Sequence, residues 1–552
     1  MTDETSVAPG SAPGAPVAGE RAGGVARHVG AVSAATFLSR VLGLLRDQVF
    51  AALFGAGTAA DAFNMAFRVP NLVRDLFAEG AMSASFVPTF TEWREKHGDA
   101  AAWAMARQLM STLLAVLLGL CALGYLFAPQ VLGLMAGGFA AVPGKLELTV
   151  MLTRVMLLFL PAVALAAAAM GMLNARGVFF VPAFAPALLN VGMIVFGLAL
   201  IPVVRAWGWP VITAMALGVV LGGLLQFAFQ LPSLARLGFR FGIEWPAWHP
   251  GVQRVALLML PATVGLAATQ LNIFVSQAIA ASFREGSVSW LQYAFRLMQL
   301  PIGLFGVAVA TVSLPALSRA AVRQDLPLVR STLSESVRLV FLLTVPAALF
   351  LAVFARPVIS LLFQHGRFLP ADTLATGDAL VMYCIGLPAF AAVGIFTRAF
   401  YAMGDTRTPV RATFVAVGVN LVLNLMFVGP LAGWGLAHRG LALATSVTSL
   451  ANLVQLAWRL RAKLGGVDGR RMLGSLVRIT AAAAVPALLA ALGLSRLGDV
   501  AALGVPARAA VVAAGGLGGL AVLAVTLRLA RVDELAMVAE VVRSVRSKLG
   551  GR

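Results

Sequence analysis

The sequence predicts an all-α protein that crosses a membrane many times. Of its 552 residues, 60% are hydrophobic and only 12% are charged, and the apolar residues fall in runs long enough to span a bilayer. Soluble domains carry roughly twice that charged fraction, and a spanning helix needs roughly 20 apolar residues. Runs of this length argue against a membrane β-barrel, whose strands have roughly ten alternating residues.

The apolar runs divide the chain into about fourteen predicted transmembrane helices. They cover residues 31–54, 58–92, 103–128, 148–173, 183–204, 210–235, 252–283, 286–318, 331–356, 373–402, 408–430, 439–464, 472–494 and 505–530. Residues 1–28 are rich in proline, glycine and alanine and are predicted to be a disordered cytoplasmic tail. Residues 531–552 combine helically spaced apolar residues with basic ones, which predicts an interfacial helix on the cytoplasmic side.

The net charge of +19 reflects the loops and does not indicate nucleic-acid binding. Arginine and lysine concentrate in alternate loops, for example at Arg94, Lys96 and Arg240, whereas the loops between them carry single charges such as Lys145. Basic loops stay in the cytoplasm. Both termini are therefore predicted to be cytoplasmic.

An internal repeat relates two halves of the chain. AFRVPNLVRDLF begins at Ala66, and AFRLMQLPIGLF begins at Ala294, 228 positions later. Six predicted spans separate the copies, and an even number preserves orientation, so the repeats are parallel. The sequence thus predicts a six-helix N-lobe (29–240) and a six-helix C-lobe (250–466) around a central cavity, followed by two extra helices (470–530).

The first, second and eighth predicted spans carry charged residues away from the span ends, whereas charges in other spans, such as Arg107 and Arg154, lie near the ends. The charges of these three spans include Arg40, Arg46 and Asp47 in the first span, Asp61, Arg68, Arg74 and Glu79 in the second, and Arg296 in the eighth. An arginine at the bilayer centre costs about 2.5–3.5 kcal/mol on insertion scales. Internal ion pairs, such as Arg40 with Asp61 or Arg74 with Glu79, would offset this cost. The interpretation we favour is an anion-binding cavity, since guanidinium groups bind phosphate oxygens bidentately.

A helical projection groups most of these polar residues on single faces. On the second span the stripe contains Asp61, Asn64, Arg68, Asn71, Asp75 and Glu79, and Arg74 lies beyond its edge; on the eighth it contains Ser289, Gln292, Arg296, Gln299 and Gly303. Pro70 and Pro301 interrupt the regular helix in the two repeats. The two stripes are predicted to face each other across the cavity.

Catalytic and metal chemistry find no support in the sequence. It has five histidines and two cysteines, and Cys121 and Cys384 lie within apolar spans. It contains no nucleotide-binding loop, zinc-binding helix or nucleophile elbow. We expect neither a metal nor a cofactor, and we expect that the protein is not an enzyme.

Several stretches resemble one known family. SRVLGLLRDQVFAALFGAGTAADAF (39–63), FRVPNLVRDLFAEGAMSASFVPTF (67–90), LLFQHGRF (361–368) and FYAMGDTRTPV (400–410) are similar to the MurJ (MviN) family of lipid II flippases, in the multidrug/oligosaccharidyl-lipid/polysaccharide exporter superfamily. The resemblance implies two lobes around a cavity, alternating access and transport without ATP. It also implies that the last two helices form a groove for the polyprenyl tail.

The resemblance also suggests site residues. The family's essential cavity arginines match Arg40, Arg46, Arg74 and Arg296, and its cavity aspartate matches Asp61. Secondary cavity candidates are Arg68, Asp47, Glu79, Ser289 and Gln299. The chain departs from the family at Phe295 and Gln299, where acids are common, and span 252–283 has no acid for a sodium site.

The resulting hypothesis is a lipid II flippase of the bacterial plasma (inner) membrane, moving its substrate from the cytoplasmic to the outer leaflet. The arginines would bind the diphosphate of this undecaprenyl-linked disaccharide-pentapeptide. Expected partners are lipid II, membrane lipids and cell-wall synthesis or division proteins, but no nucleic acid. The alternatives are an exporter of another polyprenyl-linked saccharide and a cation or drug antiporter.

Overall fold

The fold is described from a computed structural model that covers residues 18–77, 81–245 and 249–536. Within these ranges the chain forms helices and short turns and contains no β-strand. We keep the terms N-lobe for α1–α9 and C-lobe for α10–α17, with α18 and α19 as a C-terminal pair.

The N-lobe begins with two helices that meet at a short turn. Its helices within the described ranges are α1 (Ala18–Phe54), α2 (Thr58–Phe77), α3 (Ala81–Met135), α4 (Lys145–Met156), α5 (Phe159–Ala175), α6 (Phe180–Ala199), α7 (Ile201–Ala206), α8 (Thr213–Ala228) and α9 (Leu231–Arg236). Helix α3 is broken at Gly98, whose φ of 84° is a left-handed conformation that glycine adopts without steric cost. The break separates residues 81–97, which pack into the N-lobe core through Phe86 and Phe90, from the third membrane span.

The C-lobe repeats this arrangement. Its helices are α10 (Pro250–Ala280), α11 (Ser287–Pro301), α12 (Val307–Val322), α13 (Leu326–Val353), α14 (Ala355–Leu362), α15 (Pro370–Ala402), α16 (Arg407–Val428) and α17 (His438–Leu464), and the pair is α18 (Gly469–Leu497) and α19 (Val505–Leu529). A π-helical segment, Ile302–Gly306, follows Pro301. Proline lacks the amide hydrogen that a regular helix needs, so the predicted interruption of the eighth span is confirmed.

The protein is a multi-pass membrane protein of the predicted class. Ten helical segments in the described part of the chain are long and apolar enough to cross a membrane. They correspond to ten of the fourteen predicted spans, and the remaining four are the first, second, seventh and eighth. Helices α1, α2 and α11, which carry the charged residues, belong to these four spans.

The helices run between two opposite ends of the molecule. The hairpin face is the end where α1 turns into α2 and α10 turns into α11, and the terminal face is the opposite end, where α19 finishes. At the hairpin face, the largest apolar cluster joins Phe50 and Phe63 of the N-lobe to Tyr293, Phe363 and Phe368 of the C-lobe. The lobes are therefore packed together at this end.

Helix α10 contacts both lobes. Near its start, Gly251 lies against the side chain of Met105 on α3. Near its end, the hydroxyl of Ser276 donates a hydrogen bond of 3.1 Å to Asn420 Oδ1 on α16. One helix thus links the N-lobe at the terminal face to the interior of the C-lobe.

One prediction about the chain ends needs correction. Residues 18–28 belong to α1 and are not part of a disordered tail; no proline follows Pro16 there, so nothing interrupts the helix. At the other end, the predicted interfacial helix is described only at residues 531–536, where Glu534 is buried with its Oε1 2.9 Å from Arg338 Nη1 and Arg531 and Asp533 are exposed. The rest of both predicted tails, 1–17 and 537–552, lies outside the described residues.

Candidate functional site

Two adjoining cavities lie between the lobes. The main cavity has a volume of about 760 Å³ and extends toward the terminal face, and the inner cavity of about 160 Å³ lies nearer the hairpin face. Arg46, Arg74, Leu189 and Arg296 line both cavities. The charged helices α1, α2 and α11 therefore meet where the sequence predicted a central site.

The walls of the two cavities are strongly basic. Among the described residues that line them, five arginines face one aspartate, which gives a formal charge of +4. The arginines are Arg40, Arg46, Arg68, Arg74 and Arg296, and the aspartate is Asp47. Such a cavity attracts an anion and repels a cation, because charges at a low-dielectric wall act strongly on the enclosed water.

Asp47 joins one arginine from each lobe. Its Oδ1 accepts hydrogen bonds from Arg46 Nη2 at 2.6 Å and Arg46 Nε at 3.0 Å. Its Oδ2 lies 3.0 Å from Nε of Arg296. The Arg296 side chain remains 41% exposed, whereas that of Asp47 is 12% exposed. The carboxylate orients both guanidinium groups and neutralises only one of their two charges.

Arg40 marks the contact between α1 and the π-helical segment. Its guanidinium lies so close to Gly303 that a Cβ at that position would be 2.0 Å from Nη1. The C-lobe glycine thus makes room for an N-lobe arginine at the wall of the main cavity. Arg40 does not form the ion pair with Asp61 considered from the sequence.

On α2, Arg68 and Arg74 both reach the cavities. Arg68 Nη2 donates a hydrogen bond to Gln270 Oε1 on α10, and Arg68 lines the inner cavity with Asn64 and Asn71. The stripe predicted along α2 is thus present for these three residues. Arg74 lies off that stripe and lines both cavities.

Asp61 was predicted to line the cavity, but it lines neither of the two cavities. Its side chain is 1% exposed, and Lys145 Nζ donates a hydrogen bond of 2.8 Å to Oδ2. The amide of Gly286 donates to the same oxygen at 2.8 Å. The amide and hydroxyl of Ser289 donate to Oδ1 at 3.0 and 2.8 Å. Four donors occupy the carboxylate, which leaves it unsuited to contact a substrate here.

Further hydrogen bonds close the hairpin face beside Asp61. Glu285 Oε1 accepts from the amide and hydroxyl of Thr58 at 2.6 and 2.5 Å, and these bonds hold the pKa of Glu285 below its usual value. The hydroxyl of Tyr293 donates to the carbonyl of Gly55 at 3.2 Å. Each bond joins the N-lobe to the C-lobe, and together with Asp61 they form what we call the hairpin gate.

The other predicted residues divide between these two regions. Gln299 lines the main cavity, and Ser289 belongs to the hairpin gate. Glu79 lies outside the described residues. The sequence pattern did not predict a cavity role for Asn190, whose Oδ1 accepts a hydrogen bond from Arg46 Nη1 at 3.0 Å. It also placed Lys145 in an outer loop, and no local pattern links Lys145 to Asp61.

Acidic, cysteine and histidine residues do not cluster in the described ranges. No group of three of them is close enough to hold a metal ion. Cys121 and Cys384 are buried and unpaired.

A separate apolar cavity of about 310 Å³ lies between α13 and the C-terminal pair. Its walls include Pro346, Phe350, Pro486 and Leu520. Gly515 allows close packing here, because a Cβ on it would lie 2.1 Å from the Phe354 ring. The cavity suits an aliphatic chain and offers no charged partner.

Comparison with known proteins assigns the family. The model of the family described as "Lipid II flippase MurJ" matches residues 50–503. The chain belongs to the MurJ family. It is 39% identical over 434 residues to a probable lipid II flippase MurJ of Vibrio cholerae, covering 77% of this chain and 81% of that protein. It is 38% identical to the lipid II flippase MurJ of Burkholderia cenocepacia, covering 78% of this chain and 82% of that protein.

Solved structures agree with the MurJ assignment. A lipid II flippase MurJ in an inward closed conformation aligns with a TM-score of 0.74 and 26% identity, covering 90% of this chain and 98% of that one. An inward-facing multidrug transporter of the MATE family, in the MOP superfamily, aligns with a TM-score of 0.65 over 77% of this chain and 95% of its own. At 16% identity the second likeness shows the fold alone.

Proposed function

We propose that this MurJ family member flips lipid II from the cytoplasmic to the outer leaflet of the plasma membrane by alternating access. The terminal face is then cytoplasmic and the hairpin face is outside, as the distribution of basic loops predicts. The observation that carries the proposal is the formal charge of +4 on the walls of the two cavities. Lipid II carries a diphosphate, which is the anionic group that such a cavity fits.

In this proposal, Arg46, Arg74 and Arg296 bind the diphosphate where the two cavities adjoin. Guanidinium forks bind phosphate oxygens with two parallel hydrogen bonds. Asp47 holds Arg46 and Arg296 in position across the lobe boundary, and Asn190 accepts one remaining hydrogen bond from Arg46. The donors are therefore preorganised, and binding need not order them.

Arg40 contributes at the terminal side of the main cavity. Its contact with Gly303 joins α1 to the π-helical segment, so a headgroup entering between these elements would separate them. The released guanidinium would then be available to the phosphates. Arg40 thus combines a binding role with a role in closing the cavity.

We assign Asp61 to the hairpin gate and no longer to substrate binding. Its carboxylate lies at the N-terminus of α11, where the helix dipole and the free amides of Gly286 and Ser289 favour a negative charge. Opening toward the outside would break these bonds together with those of Glu285 and Tyr293. The gate therefore sets the free energy of the state with the hairpin face closed.

The apolar cavity beside α18 and α19 provides a site for part of the undecaprenyl chain. Its walls carry no charge among the described residues. Burial of each methylene group contributes about 0.8 kcal/mol relative to water, but relative to lipid the gain comes mainly from packing. The cavity would thus orient the tail while the headgroup occupies the main cavity.

A cation or drug antiporter is the competing function. Such a transporter needs carboxylates that face its substrate. Asp47 is the acidic residue found on the described cavity walls, and it lies between two guanidinium groups. An exporter of another polyprenyl-linked saccharide would share the diphosphate site and differ in how it accommodates the sugar.

The proposal is tested by reconstituting the full-length protein in liposomes with labelled lipid II. Accessibility of the label to an external enzyme measures transfer between leaflets, with and without a membrane potential. Arg46→Ala, Arg74→Ala and Arg296→Ala should each abolish transfer, while Arg323→Ala, on an exposed turn of the terminal face, should not. Transfer by all three cavity variants at the wild-type rate would refute the diphosphate site, and absence of lipid II transfer by the wild type would refute the function.

A further inference from the structure

The segment that connects the lobes, residues 239–245, has no regular secondary structure and is held against α3. We call it the lobe linker. Oε1 of Glu244 lies 2.6 Å from Nε of Arg107, and the Glu244 amide donates to the Ser111 hydroxyl at 2.9 Å. Gln108 Nε2 donates to the carbonyl of Trp245 at 2.8 Å. Three neighbouring side chains of α3 thus fix the linker along one side of the N-lobe.

The lobe linker exposes large apolar side chains. Phe239 is buried, but Phe241, Ile243 and Trp245 are 45%, 73% and 89% exposed. They lie outside any helix, so they are not part of a membrane span. Exposed apolar side chains that cluster on a fixed segment indicate a surface that contacts something other than water.

The depth of these side chains in the membrane follows from the residues of α3 to which the lobe linker is bound. Lipid-facing residues of this helix begin near Val116, which is 56% exposed, and Leu118, which is 48% exposed. Arg107 and Ser111 precede Val116 by nine and five positions, or roughly 7–13 Å at the rise of an α-helix. This distance places the lobe linker at the level of the lipid headgroups, where tryptophan is enriched.

Two exposed arginines precede the exposed apolar side chains. Arg236 ends α9 and Arg240 lies within the linker. Basic residues near an anionic membrane surface each gain about 1 kcal/mol. The combination of interfacial depth, apolar side chains and exposed positive charge fits anionic phospholipid.

We propose that the lobe linker is an anionic-lipid anchor, in which Trp245, Ile243 and Phe241 insert among headgroups and Arg236 and Arg240 bind their phosphates. The anchor concerns phospholipid of the terminal-face leaflet and does not depend on which cargo the cavity carries. The next described helix is α10, whose Arg254 lies 2.9 Å from Glu92 of α3. The anchor would therefore hold the start of α10 and the N-lobe at a fixed height in the membrane.

The experiment measures quenching of Trp245 by brominated lipids in vesicles that contain the full-length protein. The chain has nine tryptophans, so the Trp245 signal is the emission of the wild type minus that of Trp245→Phe. Brominated phosphatidylglycerol should quench this difference signal more strongly than brominated phosphatidylcholine. The double variant Arg236→Gln with Arg240→Gln should abolish that preference. Each substitution should lower the preference for anionic lipid about fivefold.

Arg323→Gln provides the matched control, since it removes an exposed charge from the same face outside the linker, and it should leave the preference unchanged. A Trp245 signal that neither lipid quenches would overturn the proposal and indicate a surface facing water or another protein. Equal quenching by both lipids in the wild type would overturn the assignment of anionic lipid. These measurements require no lipid II. Their outcome therefore does not depend on whether the protein transports lipid II.

Discussion

The carboxylate of Asp61 and the ammonium group of Lys145 form a buried ion pair 2.8 Å long at the hairpin face. Their side chains are 1% and 3% exposed. Lys145 also lies 4.1 Å from the centre of the Phe139 ring, a cation–π contact. The pair lies within the N-lobe, but Asp61 also accepts hydrogen bonds from α11 of the C-lobe. Lys145 thus neutralises the carboxylate that holds the lobes together.

We predict that Lys145→Met destabilises the protein strongly. Removal of one partner leaves a buried charge uncompensated, which costs about 3–5 kcal/mol, whereas replacement of both is often tolerated. Asp61→Asn combined with Lys145→Met should therefore recover much of the loss in a thermal unfolding assay. Additive losses in the double variant would contradict this coupling.

Asp47→Asn should strengthen anion binding. The substitution keeps the shape of the side chain but removes the one negative charge between Arg46 and Arg296. We expect inorganic pyrophosphate to bind several-fold more tightly by titration calorimetry, because each tenfold gain needs only about 1.4 kcal/mol. Asp378→Asn, at a surface ion pair with Arg356, is the control and should bind as the wild type does. Unchanged affinity in Asp47→Asn would argue against phosphate binding between the two arginines.

Gly303→Ala should separate α1 from the π-helical segment. The added Cβ would meet the guanidinium of Arg40, which is the flexible end of a long side chain and can move away. Stability should therefore change little, while the distance between spin labels at positions 38 and 304 increases. Gly418→Ala adds a methyl group in open space and should leave that distance as it is. An unchanged distance in Gly303→Ala would show that the contact does not hold these elements together.

The hairpin gate should loosen in acid. Hydrogen bonds from Thr58 lower the pKa of Glu285 from its ordinary value of 4.5. A lowered pKa means that the carboxylate stabilises the closed gate above pH 4.5 and loses this effect as the pH falls through the lowered pKa. Labels at Leu134 and Leu369, exposed on the two lobes, should move apart below pH 4.5.

Glu285→Gln should reduce this response to acid, and Glu147→Gln, an exposed position on the same face, should retain it. The expected change in the distance between the labels is small, since Glu285 is partly exposed to solvent and its interactions are screened. Identical pH profiles for the wild type and Glu285→Gln would exclude Glu285 as the titrating group.

Much of the fold could be predicted because its determinants are local. Runs of apolar residues set the spans, and the two AFR copies, at Ala66 and Ala294, set the parallel repeat. Pro301 ended α11 as expected, because proline cannot donate the helical hydrogen bond. The same prediction for Pro70 was wrong, since α2 continues through it. The prediction that residues 18–28 are disordered was wrong because it rested on the composition of the whole tail, which hid the helical end.

The candidate site was predictable as a set of residues but not as a set of contacts. A charge inside an apolar span is costly, so the positions of Arg40, Arg46 and Arg296 in the spans already predicted that they turn away from lipid. Tertiary structure alone decided which groups they meet. Asp61 and Lys145 are 84 positions apart, and nothing periodic links them. Pairing at such separations depends on how whole helices pack, and this packing made Asp61 part of a gate and Asp47 the link between two arginines.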